Sequence, residues 1–210
     1  MPRYARIERH ALADALQEAG PHAPTLCGDW KTGDLAAHVV VRDRRPDAAP
    51  GIVFKPLAGW TDRVRDRYRD AHPYPELIAM LRSGPRLSPM NLSALDEMTN
   101  TVEFFVHTED ARRGRGGWEP RALEPGLAAA LWQRLPPLVR LNLRRIPDTV
   151  RVEAPGHGAF TVGDGEPSVT VTGDPGELLL FFMGRQAASR VDISGDTTAV
   201  TRLAGARFGI

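Results

Sequence analysis

The sequence predicts an α+β protein of two domains, a helical bundle over residues 1–145 followed by a small α+β domain over residues 146–210. Up to about residue 145 the apolar residues recur with the spacing of amphipathic helices, and from Asp148 they alternate with polar residues as strands do. The charge changes at the same place. Residues 1–145 carry 22 basic and 18 acidic residues, a net of +4, whereas residues 146–210 carry 5 and 8, a net of −3.

The first domain is predicted to consist of helices. They lie before the Gly20-Pro21 break, between Thr32 and Pro46, and over about residues 60–70, 75–83, 93–113 and 124–135. Thr32 is the expected N-cap of the second helix, with Asp34 in the first turn, where the helix dipole favours a carboxylate. The stretch between the second and third helices is expected to be a loop. Pro136-Pro137 is expected to end the last helix.

The second domain is predicted to be a sheet with a helix packed on it. Three segments alternate as strands do, namely TVRVEA, AFTVG and SVTVTG, and the turn sequences PGHG and DGEP separate them. A helix is expected over DPGELLLFFMGR, from Asp174 to Arg185, and a further strand over RVDISG. The whole chain is therefore expected to be a bundle followed by a small α+β domain.

Composition narrows the classes of function. A single cysteine, Cys27, excludes an internal disulfide framework and a cysteine-rich zinc site. The net charge of +1 gives no reason to expect a nucleic-acid partner, and no apolar run is long enough to span a bilayer, so no membrane partner is expected. The N-terminus lacks the apolar segment of a secretion signal, so a cytoplasmic location is predicted.

The helix expected over residues 93–113 carries a polar stripe that a solvent-facing helix does not need. At about 100° per residue, one broad arc is apolar and another polar arc can face water. A second polar stripe consists of Asp96, Asn100, Glu103, His107 and Asp110. The motif EFFVH places Glu103 and His107 four residues apart, on the same side of the helix. The stripe is therefore a candidate for a polar site inside the bundle.

The second helix supplies a third candidate ligand, His38. A lone histidine on a mostly apolar helix is more often a core or boundary residue than a ligand. Together with Glu103 and His107 it offers nitrogen, oxygen and nitrogen donors, the set that leaves one position open in catalytic zinc sites and also suits nickel, iron or cobalt. Spacing alone leaves two interpretations open, a metal site and a solvated polar face. The candidates for holding the far imidazole nitrogens are Asn100, Asp96 and Asp110.

Two motifs resemble those of the mycothiol-dependent maleylpyruvate isomerase family. They are LCGDWKTGDLAAHVVVRDRRPD and, at a distance, TNTVEFFVHTEDARR. The sequence is most similar to an actinobacterial branch of that family whose members are described only as metal-binding. The resemblance implies a DinB-like four-helix bundle for the N-terminal domain. It also implies that the metal ligands are His38, Glu103 and His107.

The C-terminal part resembles the same family. It carries the run VTVTGDPGELLLFFMGR, which is similar to the family's small α+β domain, sterol-carrier-like in shape. In the isomerase an arginine of this domain is thought to assist the active site, and the resemblance implies that Arg185 is its catalytic equivalent. The residues themselves allow another interpretation, in which Gly184-Arg185 only ends and caps the preceding helix.

The resemblance implies a metal-dependent reaction of a thiol. The expected cofactors are a divalent metal, with zinc expected before nickel, and mycothiol or a similar low-molecular-weight thiol. A metal-bound thiol loses its proton and becomes a nucleophile, which would attack an electrophilic small-molecule substrate in a transferase or isomerase reaction. Two alternatives stay open, a non-catalytic metal-binding or ligand-sensing protein, and metal-assisted hydrolysis with Asp110 or Asp43 as the base.

Three residues near these motifs have competing interpretations. Arg42, about one turn past His38, could be a cofactor-binding residue for a carboxylate or sugar-phosphate-like group, because arginine makes forked contacts with planar anions. The alternative is a salt bridge to Asp34, Asp110 or Asp43, which we favour for Arg45. Cys27 is interpreted as a small buried apolar residue without a catalytic role, since the sequence shows no partner base for it.

Overall fold

The computed structural model describes residues 4–45, 47, 58–84 and 93–209. Within these residues the chain is a mixed α+β protein with eight α-helices and one four-stranded sheet, which confirms the predicted class. It forms two compact units, Met1–Trp118 and Glu119–Ile210. No helix in the described part is both long enough and apolar enough to cross a bilayer.

The described helices of the first unit agree with the predicted segments. They are α1 (Tyr4–Ala19), α2 (Thr32–Arg44), α3 (Ala58–Ala71), α4 (Tyr74–Ser83) and α5 (Ser93–Arg113). α1 packs along α5, and α2 packs on α3 and α4. One apolar core joins four of these helices through the fully buried side chains of Leu12, Leu35, Leu81 and Phe104. The loop expected between α2 and α3 lies largely outside the described residues.

The start of α2 differs by one position from the prediction. Thr32 is the first helical residue, and Lys31 takes the N-cap position. The carboxylate of Asp34 accepts a hydrogen bond from the backbone N–H of Lys31, with 2.9 Å between the nitrogen and Oδ2. Asp34 therefore satisfies a backbone donor at the helix start, where its charge also complements the helix dipole.

In the part of the chain that the structure describes, the second unit combines a four-stranded sheet with three α-helices. Its elements are α6 (Pro125–Leu143), β1 (Val150–Ala154), β2 (Gly158–Val162), β3 (Val169–Thr172), α7 (Pro175–Phe182), β4 (Asp192–Gly195) and α8 (Thr197–Ala204). The strand order is β2-β1-β3-β4, in which β1 and β3 are parallel and the other neighbours antiparallel. The predicted strands and the helix α7 are all present.

The second unit begins earlier than the sequence suggested. The prediction ended the helical domain at residue 145, whereas the second unit begins at Glu119 and includes α6. The reason is packing, because α6 lies against α7 and β2 and buries Leu131 and Leu135 completely. A helical pattern shows that a segment has an apolar face, but it does not show which partner covers that face.

α6 also continues through two prolines that were predicted to end it, and that prediction is wrong. Pro136 and Pro137 lie inside the helix, which runs on to Leu143. Neither proline has an N–H to donate to the preceding turn, so each weakens the helix locally. The second half of the helix persists because it buries Val139 and Leu143, and tertiary packing outweighs local propensity.

α8 was not predicted. Oδ1 of Asp196 caps it by accepting hydrogen bonds from the backbone N–H groups of Thr198 and Ala199, at 2.9 and 3.0 Å. Its buried residues are Ala199 and Leu203. An aspartate directly before a short amphipathic segment is an N-cap signal that could have identified this helix.

Candidate metal centre

The three predicted ligands come together in the first unit. His38 lies on α2, and Glu103 and His107 lie about one turn apart on α5. Oε1 of Glu103 is 3.8 Å from Nε2 of His38 and 3.3 Å from Nε2 of His107. The two imidazole rings meet edge to face, with 5.4 Å between their centroids. The polar stripe of α5 therefore meets α2 at this point.

The spacing of these donor atoms suits a single metal ion. Donors bound at about 2.0–2.2 Å around a tetrahedral ion lie roughly 3.4 Å apart. The distances of 3.3 and 3.8 Å bracket that value, and all three donor atoms lie within 4.8 Å of one another. The side chain of Glu103 keeps 25% of its surface exposed. A fourth coordination position would therefore be within reach of a small molecule.

Asp110 holds the far side of His107. Its Oδ2 lies 2.9 Å from Nδ1 of that ring, and its side chain is completely buried. A hydrogen bond from Nδ1 to this carboxylate leaves Nε2 as the nitrogen available to a metal. Of the three residues considered for this role, Asp110 is therefore in place. Asn100 accepts a hydrogen bond from Arg42, and the side chain of Asp96 lies outside the described residues.

Burial and hydrogen bonding act in opposite directions on Glu103 and His107. Burial alone would raise the pKa of Glu103, but the interactions with the imidazoles of His107 and His38 outweigh burial and hold that pKa well below its ordinary value. Burial alone would lower the pKa of His107, but hydrogen bonds with Asp110 and Cys27 outweigh burial and hold that pKa well above its ordinary value. Without a metal the two groups are therefore an anion and a cation at neutral pH.

His38 is neutral under the same conditions. Burial lowers its pKa, and the attraction of the Glu103 carboxylate offsets this only in part. The ring also packs on Trp30, with 5.1 Å between centroids, and the guanidinium of Arg65 lies over the indole at 4.5 Å. A neutral imidazole keeps a nitrogen lone pair available to a metal.

Arg42 contacts the same site. Its Nε lies 3.4 Å from Oε1 of Glu103, and its Nη1 donates a hydrogen bond to Oδ1 of Asn100 at 2.7 Å. The guanidinium is thus beside the candidate ligands, while its role in binding a cofactor stays a prediction. Arg45 forms a salt bridge, as favoured from the sequence, but its partner is Asp47 and not Asp34, Asp110 or Asp43, with contacts of 2.8 and 2.7 Å.

Both aspartates considered as a hydrolytic base are engaged by other groups. Asp43 pairs with the guanidinium of Arg9. Asp110 lies against Nδ1 of His107 and accepts a hydrogen bond from the thiol of Cys27. Hydrogen bonds to a carboxylate stabilise its anionic form and so weaken it as a base toward water. The geometry therefore gives metal-assisted hydrolysis no specific support.

Cys27 has partners that the sequence did not reveal. Its thiol donates to Oδ2 of Asp110 at 3.0 Å, and Sγ lies 3.9 Å from Nδ1 of His107. The expectation that Cys27 has no partner base is therefore wrong, although its side chain does pack against the apolar core of the first unit, and its lack of a catalytic role stays a prediction. These partners are 83 and 80 positions away along the chain, so no local pattern connects them. The one clue was that Asp110 belongs to the polar stripe of α5.

Arg185 belongs to the second unit and closes α7. The backbone N–H of Arg185 donates to the carbonyl of Leu180 at 2.9 Å. Gly184 has a φ of 85°, and its N–H donates to the carbonyl of Phe181 at 3.2 Å. This is the hydrogen-bond pattern of a Schellman cap, and the guanidinium adds a bond to the carbonyl of Met183 at 2.6 Å. Capping accounts for the local geometry, and a catalytic role for Arg185 stays a prediction.

No protein-family model, curated protein or solved structure matches this chain. The chemistry of the site therefore rests on its own residues. They are two imidazoles and a carboxylate whose donor atoms converge, a buried carboxylate behind one imidazole, and a thiol beside that carboxylate.

Proposed function

We propose that this protein binds a divalent metal ion through His38, Glu103 and His107 and acts as a metal-dependent thiol transferase or isomerase. The observation that carries the proposal is the convergence of three donor atoms from two helices to within 4.8 Å. Zinc is the expected ion and nickel the alternative, because two imidazoles and one carboxylate suit both. The finer fold proposed with this function is a DinB-like bundle in the first unit and a sterol-carrier-like second unit.

The surrounding groups prepare the three ligands for this role. His38 is neutral and Glu103 is anionic, so both offer lone pairs to a cation. Asp110 accepts from Nδ1 of His107, which makes that ring a better donor through Nε2. A bound divalent ion would lower the pKa of a coordinated thiol and so supply a thiolate nucleophile at neutral pH.

The charge of the site favours an anionic ligand. Before a metal binds, the negative charges of Glu103 and Asp110 balance the positive charges of His107 and Arg42. A divalent ion that displaces the proton of His107 leaves one positive charge in excess. A thiolate neutralises that excess in a largely buried site, as hydroxide also would, whereas a neutral thiol or water molecule does not.

The identity of the thiol rests on the resemblance of the motifs. The family that they resemble uses mycothiol and an electrophilic small molecule, and its ligand positions match His38, Glu103 and His107. We therefore propose mycothiol or a similar low-molecular-weight thiol as the cofactor, with an electrophilic small molecule as the substrate. The proposed partners include no nucleic acid and no membrane, and the proposed location is the cytoplasm.

Metal content tests the first half of the proposal. Protein purified without an affinity tag is analysed by elemental mass spectrometry, beside the double variant His38→Ala/His107→Ala. A matched control replaces the exposed histidines in His10→Ala/His22→Ala. We expect about one zinc or nickel ion per chain in the wild type and the control, and none in the double variant. Equal metal in both double variants would overturn the assignment of the ligands.

Thiol binding tests the second half. The metal is replaced by Co²⁺, whose visible spectrum responds to its ligands, and mycothiol is added. A spectral change that saturates with thiol, and that the same thiol blocked by S-methylation does not produce, would support a metal-activated thiol. A protein that holds its metal but shows no change with any thiol would overturn the thiol half of the proposal and leave a non-catalytic metal-binding protein or a metal-assisted hydrolase.

A further inference from the structure

The side of His107 that faces away from Glu103 carries a second group of metal donors. Sγ of Cys27 lies 3.0 Å from Oδ2 of Asp110 and 3.9 Å from Nδ1 of His107, and those two atoms are 2.9 Å apart. Around a tetrahedral ion, sulfur, nitrogen and oxygen donors lie roughly 3.4–3.6 Å apart. Shifts of a few tenths of an ångström would therefore bring all three donors to bonding distance of one ion.

The loop that carries Cys27 is held in place by its backbone. The N–H of Leu26 donates to the carbonyl of Asp110 at 3.1 Å, which ties the loop directly to α5. The N–H of Cys27 donates to Oγ1 of Thr25 at 3.1 Å, and the N–H of Trp30 donates to the carbonyl of Cys27 at 3.2 Å. The thiol is therefore positioned beside Asp110 by bonds that do not involve sulfur.

Gly114, directly after α5, permits this close approach. A Cβ atom at this position would lie 2.2 Å from the carbonyl oxygen of Pro24 and 2.6 Å from Cα of Thr25. Real side chains do not tolerate such distances, so the loop could not lie against α5 with any other residue there. The fold thus depends on a glycine to bring the thiol to the two donors of α5.

We propose that Cys27, Asp110 and Nδ1 of His107 form a second metal position, selective for soft divalent cations such as Cd²⁺ or Zn²⁺. Thiolate is the ligand that gives this preference, because soft metals bind sulfur more strongly than hard ones do. Binding displaces the protons on Sγ and Nδ1 to solvent and leaves a proton on Nε2.

The set formed by His38, Glu103 and Nε2 of His107 is the first metal position. The first and second positions exclude each other because both use the ring of His107. A neutral imidazole has one lone pair, so His107 can serve the second position through Nδ1 or the first through Nε2, but not both at once. A soft ion at Cys27 therefore withdraws His107 from the set formed with His38 and Glu103. This inference goes beyond the proposed function and does not require it, since it depends on Cys27 and Asp110, which are not ligands of the first position.

The single cysteine allows a direct test with Cd²⁺ as the probe. Full-length protein is titrated with Cd²⁺, bound cadmium is counted, and the thiolate-to-cadmium absorption band in the ultraviolet is recorded. We expect the band in the wild type and in His38→Ala, and its loss in Cys27→Ser. The affinity for Cd²⁺ should fall at least about tenfold in Cys27→Ser, the size seen even when an outer-shell partner is removed. Cadmium bound without the band would overturn the proposal.

A second measurement needs no variant. Alkylation of Cys27 in the wild type should slow by at least about tenfold when saturating Cd²⁺ is added, and should not change with Mg²⁺, which prefers oxygen ligands. An alkylation rate that Cd²⁺ does not change would remove Cys27 from any metal position. Metal bound through His38 without a thiolate signature would leave the proposed function intact. If the thiolate band appears but metal binding does not depend on His38, the second position is kept and the first is removed.

Discussion

Nδ1 of His107 lies 2.9 Å from Oδ2 of Asp110, a carboxylate whose side chain has no exposed surface. The opposite nitrogen, Nε2, lies 3.3 Å from Glu103. The ring is therefore held between two carboxylates on the same helix. One of these can share a metal with it, while the other fixes its orientation.

Asp110→Asn should weaken metal binding without removing a ligand of the first position. The amide cannot carry the charge that strengthens His107 as a donor, so we expect an affinity loss of about 10–100-fold for zinc, with the helical content preserved. Competition with a chelator of known affinity measures it. Asp29→Asn, on an exposed residue of the same loop as Cys27, controls for the lost charge. Equal losses of zinc affinity in Asp110→Asn and Asp29→Asn would mean that the effect comes from the lost negative charge and not from the contact between Asp110 and His107.

Metal affinity should rise with pH across the neutral range. Below the raised pKa of His107 the ring carries a proton that a metal must displace, so apparent affinity should increase about tenfold per pH unit until that pKa is passed. Glu103 stays ionised throughout, because its pKa is held well below its ordinary value. Calorimetric titration in buffers of different ionisation enthalpy counts the released proton. An affinity that is flat between about pH 6 and 8 would contradict the charged state of His107.

The metal-free protein should show the opposite trend in its free energy of unfolding. The folded pKa of His107 is raised above its ordinary value of 6.5, so its stabilisation is complete below that pH and is lost as pH rises through the folded pKa. Saturating zinc should remove this loss, since the metal then replaces the proton. Urea denaturation at a series of pH values, with and without zinc, provides the measurement. His107→Gln, which cannot titrate, should flatten the metal-free profile.

Gly114→Ala should destabilise the first unit. The new Cβ would meet backbone atoms of the loop at Pro24, and relieving an overpacked contact costs about 1–3 kcal/mol. Gly59→Ala is the matched control, because its Cβ meets nothing within 4 Å and alanine favours the helix there. Urea denaturation should show a lower free energy of unfolding than the wild type for Gly114→Ala and a higher one for Gly59→Ala. Two neutral variants would mean that the loop does not lie against α5 as closely as described.

Arg185→Ala should leave stability and metal content nearly unchanged. The cap of α7 is made by backbone groups of Gly184 and Arg185, so removing the guanidinium leaves that cap intact and loses a bond to the carbonyl of Met183. If Arg185 serves the reaction as the resemblance implies, thiol-dependent turnover should fall while zinc content stays constant. Arg202→Ala, which removes a partly exposed arginine paired with Asp148, is the control. An unchanged rate would limit Arg185 to capping.

Much of the fold was predictable because its signals are local. The helices of the first unit follow from apolar spacing, and the strands follow from alternation. α6 was truncated in the prediction because Pro136 and Pro137 are local signals that distant packing overrides. The boundary at Glu119 likewise depends on which element covers α6, and that information is not local.

The candidate site likewise contains some residues that local signals predict and others that depend on distant packing. Glu103 and His107 are one turn apart, so the helix period alone places them together, and His38 required only the expectation that α2 packs near α5. The thiol of Cys27 required knowledge of how a loop closes on α5. That closure depends on a backbone bond from Leu26 to Asp110 and on the absence of a side chain at Gly114, neither of which follows from spacing.

The contact between Trp30 and His38 gives the chain an intrinsic optical reporter. An indole 5.1 Å from a candidate ligand is near enough for its emission to be quenched by a paramagnetic ion such as Co²⁺ or Ni²⁺. The other tryptophans, Trp60, Trp118 and Trp132, contribute a background that Trp30→Phe would isolate. Occupancy of the first metal position can then be followed in real time, by stopped-flow fluorescence and without a label.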